Sequence, residues 1–382
     1  MLIENGLIKQ ILTQQEAQRV SAAIDVVDCS KYVVTPSLID CHTHLLEFAP
    51  ASIYGVTKET YGLGGQALLL QALSNGITAL GEQICGFPTI DLTLSDIRKW
   101  SQSIPMDICF SLSSISIGFN NLLHFSASTR SQSISQERLM EEEILNYLVE
   151  HSEYPGENLF INATPANFTE DVVPNAGAVI YKQQELVHIA NLFHQAGKKI
   201  GAHVGGETAI RMALDADFDV LHHAHGISDQ LIEQARQQQV SIVATPIGGT
   251  HLVPNSPEEI SCIAMKGINI AISTDAYLPI HPNADWIPNG NDGKLLGPES
   301  LLLAAHPAMK LLYEKGWDEN AVLSLITRNA AQIMGRDGRY GQLSEGMEAN
   351  FLVSPGLPGL EITNSNELLQ VYYKGVKVMD RG

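Results

Sequence analysis

His42 and His44 stand two residues apart directly after the β-rich run 33–40. Alternate residues of a strand share a face, so both imidazoles leave the backbone on one side. Two nitrogen donors so placed are half of a transition-metal site. Three further apolar runs end in side chains of the same kind. His203 closes the run 199–203, His223 and His225 close the run that begins at Val220, and Asp275 follows the run 269–273. Imidazole and carboxylate groups delivered by four separate strand ends point to one metal centre.

The elements that must position these groups alternate along the chain. Short apolar runs at 33–40, 78–82, 106–112, 159–163, 199–203, 220–223, 241–245 and 269–273 read as eight strands. Amphipathic segments between them, such as 65–73, 136–149, 184–195 and 228–238, read as helices, with Leu186, Ile189, Ala190 and Phe193 at helical spacing. Gly76, Gly197 and Gly267 stand where a helix stops before the next strand. Eight such units predict an α/β fold, a (β/α)8 TIM-like barrel, whose active sites are built on the rim at the strands' C-terminal ends. The barrel is expected over 33–340. Residues 1–32 and 341–382 carry short strand patterns and are expected to form a small composite β-sandwich beside it. The Pro-, Asn- and Gly-rich stretch 280–298 reads as a long loop at the rim.

Composition narrows the classes. Hydrophobic residues make up 45% and charged residues 17% of 382, the profile of a folded chain. A formal net charge of −19 argues against nucleic acid and anionic membrane as partners. Five scattered cysteines without a Cys-x-x-Cys pair argue against a disulfide framework and a thiolate zinc cage. With no signal-peptide pattern and no apolar run of membrane-spanning length, the expectation is a cytoplasmic enzyme with a small-molecule substrate. A homo-oligomer is compatible with the sequence and not decided by it.

These strand ends, the entry motif from Thr35 to His44, and the stretches 326–331 and 341–350 together resemble the amidohydrolase superfamily of metal-dependent hydrolases, over nearly the whole length. The resemblance implies that His42, His44, His203, His223 and Asp275 are metal ligands or their immediate neighbours. It further implies that Asp275 is the general base for water activated by a divalent ion, with zinc the leading candidate. Such an ion lowers the pKa of water from about 15.7 toward about 7, and the carboxylate can pass the proton on to a leaving nitrogen. The implied activity is hydrolysis of a C–N bond in a small amide or amidine, with a cyclic one favoured.

Two departures from the family pattern shape the expectation. Members with two metals often bridge them with a carboxylated lysine on the fourth strand, where this chain has Asn162, so one ion is favoured over two. Glu207, four residues after His203, is a candidate acid/base, and equally a helix-start residue favoured by the dipole. Strand parity places His223 and His225 on one face and His222 on the other, packed outward; His225 is then a substrate contact. Glu82 and His251 are weaker candidates for substrate binding. Two alternatives stay open: a mononuclear aminohydrolase releasing ammonia from a heterocycle, and a catalytically degenerate barrel serving as a scaffold.

Overall fold

Strands form where short runs rich in Ile, Val and Ala are bounded by glycine or polar turns. The computed structural model describes every residue except 18, 20–24, 87–89, 119–120, 165–174 and 289–292. Parts of the N-terminal piece and of the 280–298 loop therefore lie outside the described residues. The parallel strands are β1 (Leu38–Thr43), β2 (Ile77–Ile84), β3 (Asp107–Leu112), β4 (Leu159–Phe160), β5 (Gly201–Gly205), β6 (Val220–His225), β7 (Ser241–Ala244) and β8 (Ile270–Ile272). β1, β2 and β3 pair in one arc, and β4 to β8 in another, always in sequence order.

The arcs meet at two seams. Thr43 bridges Ala276 in parallel, and the Asp275 N–H donates to the His42 carbonyl. At the other seam the chain runs from β3 through Ser113 into the strand Ser114–Gly118, which pairs with Leu159 of β4. Asn158 ties this seam: its amide donates to the Leu112 carbonyl at 3.1 Å, and its side-chain oxygen accepts from the Gly201 N–H at 3.0 Å. The eight strands thus follow one another around an α/β barrel whose ladders form two arcs instead of one unbroken ring. Helices between the strands bury their apolar faces against it. In Gln183–Gln195 these are Leu186, Ile189, Ala190 and Phe193, each worth roughly 1.5–3 kcal/mol when large and fully buried. Gly76, Gly197 and Gly267 follow helices at φ of 88°, 69° and 82°, the left-handed backbone that glycine tolerates best.

The run 33–40 is two strands, not one. Val33–Pro36 joins Phe351–Ser354, Gln370–Tyr373 and Val376–Asp380 in an antiparallel sheet, and the barrel begins only at Leu38. Pro36 has no N–H to continue a ladder, which suits the end of a strand. A hairpin of Leu2–Glu4 and Leu7–Gln10 packs on this sheet, where Ile8, Ala349, Phe351, Val353 and Tyr372 bury one another. Two features lie outside the sequence expectation. One is the antiparallel hairpin Ser114–Gly118 and Leu122–Ser126; the other is the pairing of Leu278–Pro279 with Leu295–Leu296 across the rim loop. Among the described residues, no helix is long and apolar enough to cross a membrane.

Candidate metal centre

At the barrel mouth, five of the predicted residues gather around a sixth, Glu157. His42 Nε2 lies 3.2 Å from Asp275 Oδ1 and 3.3 Å from Glu157 Oε2. His44 Nε2 lies 3.4 and 3.3 Å from the same two oxygens. The other oxygen of Glu157, Oε1, is 2.5 Å from His203 Nδ1 and 2.7 Å from His223 Nε2. One buried carboxylate therefore faces two pairs of imidazoles, one oxygen to each pair. His42, His44 and Asp275 form one group with all candidate ligand atoms within 4.8 Å, and His42, Glu157 and His223 form another.

Local backbone explains the convergence. Asp275, His223 and Ala224 have φ of 54°, 67° and 49°, left-handed turns that break strand alternation at the rim. Glu157 enters the barrel behind Gly156, where an added Cβ would collide with Gln83 and Ser111 at 2.4 Å. The Glu157 N–H donates to Gln83 Oε1 at 2.9 Å.

A second layer fixes the protons. His222 Nε2 is 3.0 Å from the Pro155 carbonyl, which can only accept, so His222 carries its proton there and accepts at Nδ1. His42 Nδ1, 3.0 Å away, must donate to it, which aims His42 Nε2 at the carboxylates. The Thr245 hydroxyl donates to the Gly248 carbonyl at 2.6 Å and so accepts from His223 Nδ1 at 2.7 Å. This leaves the His223 Nε2 lone pair facing Glu157. His203 is held by the Thr164 hydroxyl and by Phe160, stacked on its ring at 3.9 Å.

The centre demands positive charge. Burial opposes ionisation of Glu157, yet the charge at His42 and the hydrogen bonds with His203 and His223 hold it well below the usual carboxylate range. Burial also opposes a proton on His42, but Glu157 and then Asp275 push its pKa up to about 10. In His203 and His222 burial prevails, and their values fall to about 4 and about 3. His42 Nε2 and Glu157 Oε2 are buried without a hydrogen-bond partner, a rare condition for polar atoms in a folded chain. A Cβ on Gly249 would sit 2.4 Å from His223 Nδ1 and 2.7 Å from Asp275 Oδ2, so glycine there keeps this side open. Imidazole nitrogens with carboxylate oxygens are a donor set for zinc and similar divalent ions. The residues fit such an ion.

Several expectations are corrected. Glu207 opens the helix Glu207–Asp215 with an exposed carboxylate paired to Arg211 at 2.7 Å, not to the cluster; Gly206, at φ 82°, turns the chain outward before it. Glu82 is buried and accepts from the Thr43 hydroxyl at 2.7 Å and from the N–H groups of Leu45 and Leu46 at 3.1 and 2.7 Å. It clamps the turn after His44 and does not reach substrate space. His225 is sealed behind the cluster, bonded to Thr250 at 2.8 Å and Thr245 at 3.2 Å. His251 packs against Gly177, whose added Cβ would strike its ring. His222 faces inward to His42, because the left-handed backbone after it defeats the parity argument. Asn162 exchanges hydrogen bonds of 3.1 Å with the Gly205 N–H and carbonyl and latches onto β5.

Strand-end position does not mark Glu157, because it precedes β4, whereas the rim groups of a parallel barrel follow their strands. The usable signal was an ionisable residue lodged between Pro155-Gly156 and the apolar Leu159 and Phe160. Above the cluster opens a cavity of about 520 Å³, with His44, His203, Thr164 and Asp275 among its lining.

Residues 33–378 match the model of the amidohydrolase family. The chain belongs to the amidohydrolase family. It is accordingly a metal-dependent hydrolase acting on C–N bonds. An imidazolonepropionase from Chromobacterium violaceum is 23% identical over 374 residues, covering 92% of this chain and 84% of the relative. A prolidase complexed with N-methylphosphonate-L-proline superimposes with a TM-score of 0.71 at 14% identity, covering 99% of this chain and 94% of that one. An adenosine deaminase from Xanthomonas campestris with bound zinc gives 0.64 at 15% identity, covering 99% and 88%. At such identities the structural likeness establishes the fold.

Proposed function

We propose that this amidohydrolase cleaves the C–N bond of a small amide or amidine, open-chain or cyclic, using two divalent ions seated on either side of Glu157. The observation that supports it is the pair of Glu157 oxygens, each facing two imidazoles. His42, His44 and Asp275 would hold one ion, His203 and His223 the other, and Glu157 would contribute an oxygen to each. Zinc is the leading candidate on donor type. When bound, the ions supply Lewis-acid polarisation of the carbonyl and acidify the attacking water.

The chain's own groups do the rest. In the metal-free chain the His42 charge overrides the burial that would raise the Asp275 pKa, so this carboxylate is ionised and able to accept a proton. It takes a proton from the attacking water and returns it to the leaving nitrogen. His222 and Thr245 keep His42 and His223 in the tautomers that present Nε2. The aminohydrolase alternative leaned on Glu207 and on Asn162 in place of the family's lysine; the exposed pairing of Glu207 with Arg211 removes the first of these supports. A degenerate scaffold would have lost part of this constellation; the gathering of His42, His44, His203, His223, Glu157 and Asp275 supports the catalytic reading instead.

The test is a panel of amides and amino-heterocycles with zinc- or manganese-loaded protein, scoring amine plus acid against free ammonia. Amide cleavage that stops on chelation and returns with metal is expected. Ammonia release from an intact ring, without amide cleavage, would overturn the reading in favour of a deaminase.

A further inference from the structure

The cavity above the centre has a chemical bias that narrows the substrate, an inference resting on the hydrolytic reading just given. Its walls are Phe48, Ile115, Ile117, Phe160, Leu278 and Leu295. Two of these begin at the reactive groups themselves. Phe160 stacks on the His203 ring at 3.9 Å and 8°, and Phe48 meets the His44 ring edge-on at 6.0 Å. The apolar surface therefore adjoins the scissile bond and is not confined to the cavity mouth. Among the described residues, no lysine or arginine lines the cavity. None occurs in residues 119–120, 165–174 or 289–292 either, so those segments bring no cation from outside the described residues. Lys294, next to Leu295, is exposed and not part of the wall.

We propose that this wall selects uncharged substrates whose substituent beside the scissile carbon is an aromatic ring or branched aliphatic group. Compounds carrying a carboxylate at that place are excluded. An anion buried against Ile115, Ile117 and Leu278 loses its hydration and meets no cation there, and the lining hydroxyls are already engaged, Ser52 with the Phe48 carbonyl, Thr164 with His203 and Tyr277 with Glu299, whereas an apolar ring gains from leaving water. The candidate ligands His44, His203 and Asp275 that reach this cavity would place any bound ion at its floor, away from Ile115, Ile117 and Leu278.

A matched pair tests this: N-methyl-2-(4-methylphenyl)acetamide and its 4-carboxyphenyl counterpart. Each is measured for calorimetric affinity and for kcat/KM with zinc-loaded protein. The neutral compound is expected to be preferred by roughly a hundredfold. Leu278→Arg, which places a cation in the wall, is expected to cut that preference at least about tenfold. Equal or tighter binding of the carboxylate compound, or binding of neither, overturns the proposal. If Leu278→Arg does not fold, the wild-type pair alone decides. Binding with the expected preference but no metal-dependent cleavage of any amide would instead sink the hydrolytic reading and leave the selectivity standing.

Discussion

Replacing Glu157 by Gln keeps the shape of the side chain and removes its charge. In the native centre Oε1 is 2.5 and 2.7 Å from His203 and His223, and Oε2 is 3.3 Å from His42 and His44. Glutamine can present one oxygen to one pair, but its NH2 then faces the other pair and repels a cation. A unit charge about 4 Å from a cation is worth roughly 4 kcal/mol at an effective dielectric of about 20. At about 1.4 kcal/mol per decade, that is near a thousandfold in affinity. The variant should therefore lose one ion and hold the other about a thousand times more weakly. Its metal-free stability should fall as well, because the ionised carboxylate that holds the His42 proton is lost. Metal content after dialysis against buffered zinc, and melting curves with and without zinc, measure both quantities. If Glu157 were only a structural partner of the histidines, the variant would lose stability but keep both ions at their native affinity. That result would refute the bridging role.

Four further outcomes follow from the same geometry. Asp275→Asn should lower kcat by about 10²–10⁴ with an unchanged circular dichroism spectrum, and near-normal turnover would remove Asp275 from proton transfer. His222→Phe deletes the 3.0 Å anchor of His42 and should weaken metal affinity about 10–100-fold; unaltered affinity contradicts the positioning role. Glu207→Gln should leave kcat/KM within about twofold, since an exposed pair of this kind contributes little, and a loss beyond tenfold would restore it as an acid/base. The metal-free protein should lose stability from pH 7 to 9, by up to about 1.4 kcal/mol per pH unit from His42. The sign follows from the folded pKa of about 10 lying above the unfolded value of about 6.5. That contribution is full below the lower value and is lost as pH rises through the higher one. An ion replaces this proton, so the loaded protein should show no such decline; a flat metal-free profile in denaturant titrations would be the contrary result.

The sequence carried the rim histidines legibly because each follows an apolar run, and because a parallel barrel brings the ends of such runs to one mouth. The structure brings His42, His44, His203, His223 and Asp275 into one buried cluster, as that logic expects. Where extended geometry gives way, the logic fails. The positive φ at His223 and Ala224 turned His222 from an outward helix contact into the partner of His42. Pro36 ended one strand inside what read as a single apolar run. Glu157 stayed hidden because its carboxylate reaches the centre from a Pro-Gly turn ahead of β4, and no periodicity marks such a residue. Glu82 and His225 have the right type and the right strand ends, but local hydrogen bonds claim them first. Residue type and strand position can nominate a rim group. Only the three-dimensional neighbours separate a ligand from the group that holds the ligand.

The central claim is that one carboxylate, Glu157, lies between two ions. Anomalous diffraction at the metal edge from zinc-loaded crystals tests it most directly, because it counts the ions and locates them together. Two peaks flanking Glu157, one beside His42, His44 and Asp275 and the other beside His203 and His223, are predicted. A single peak, or a second one that leaves Glu157 uncoordinated, would contradict it.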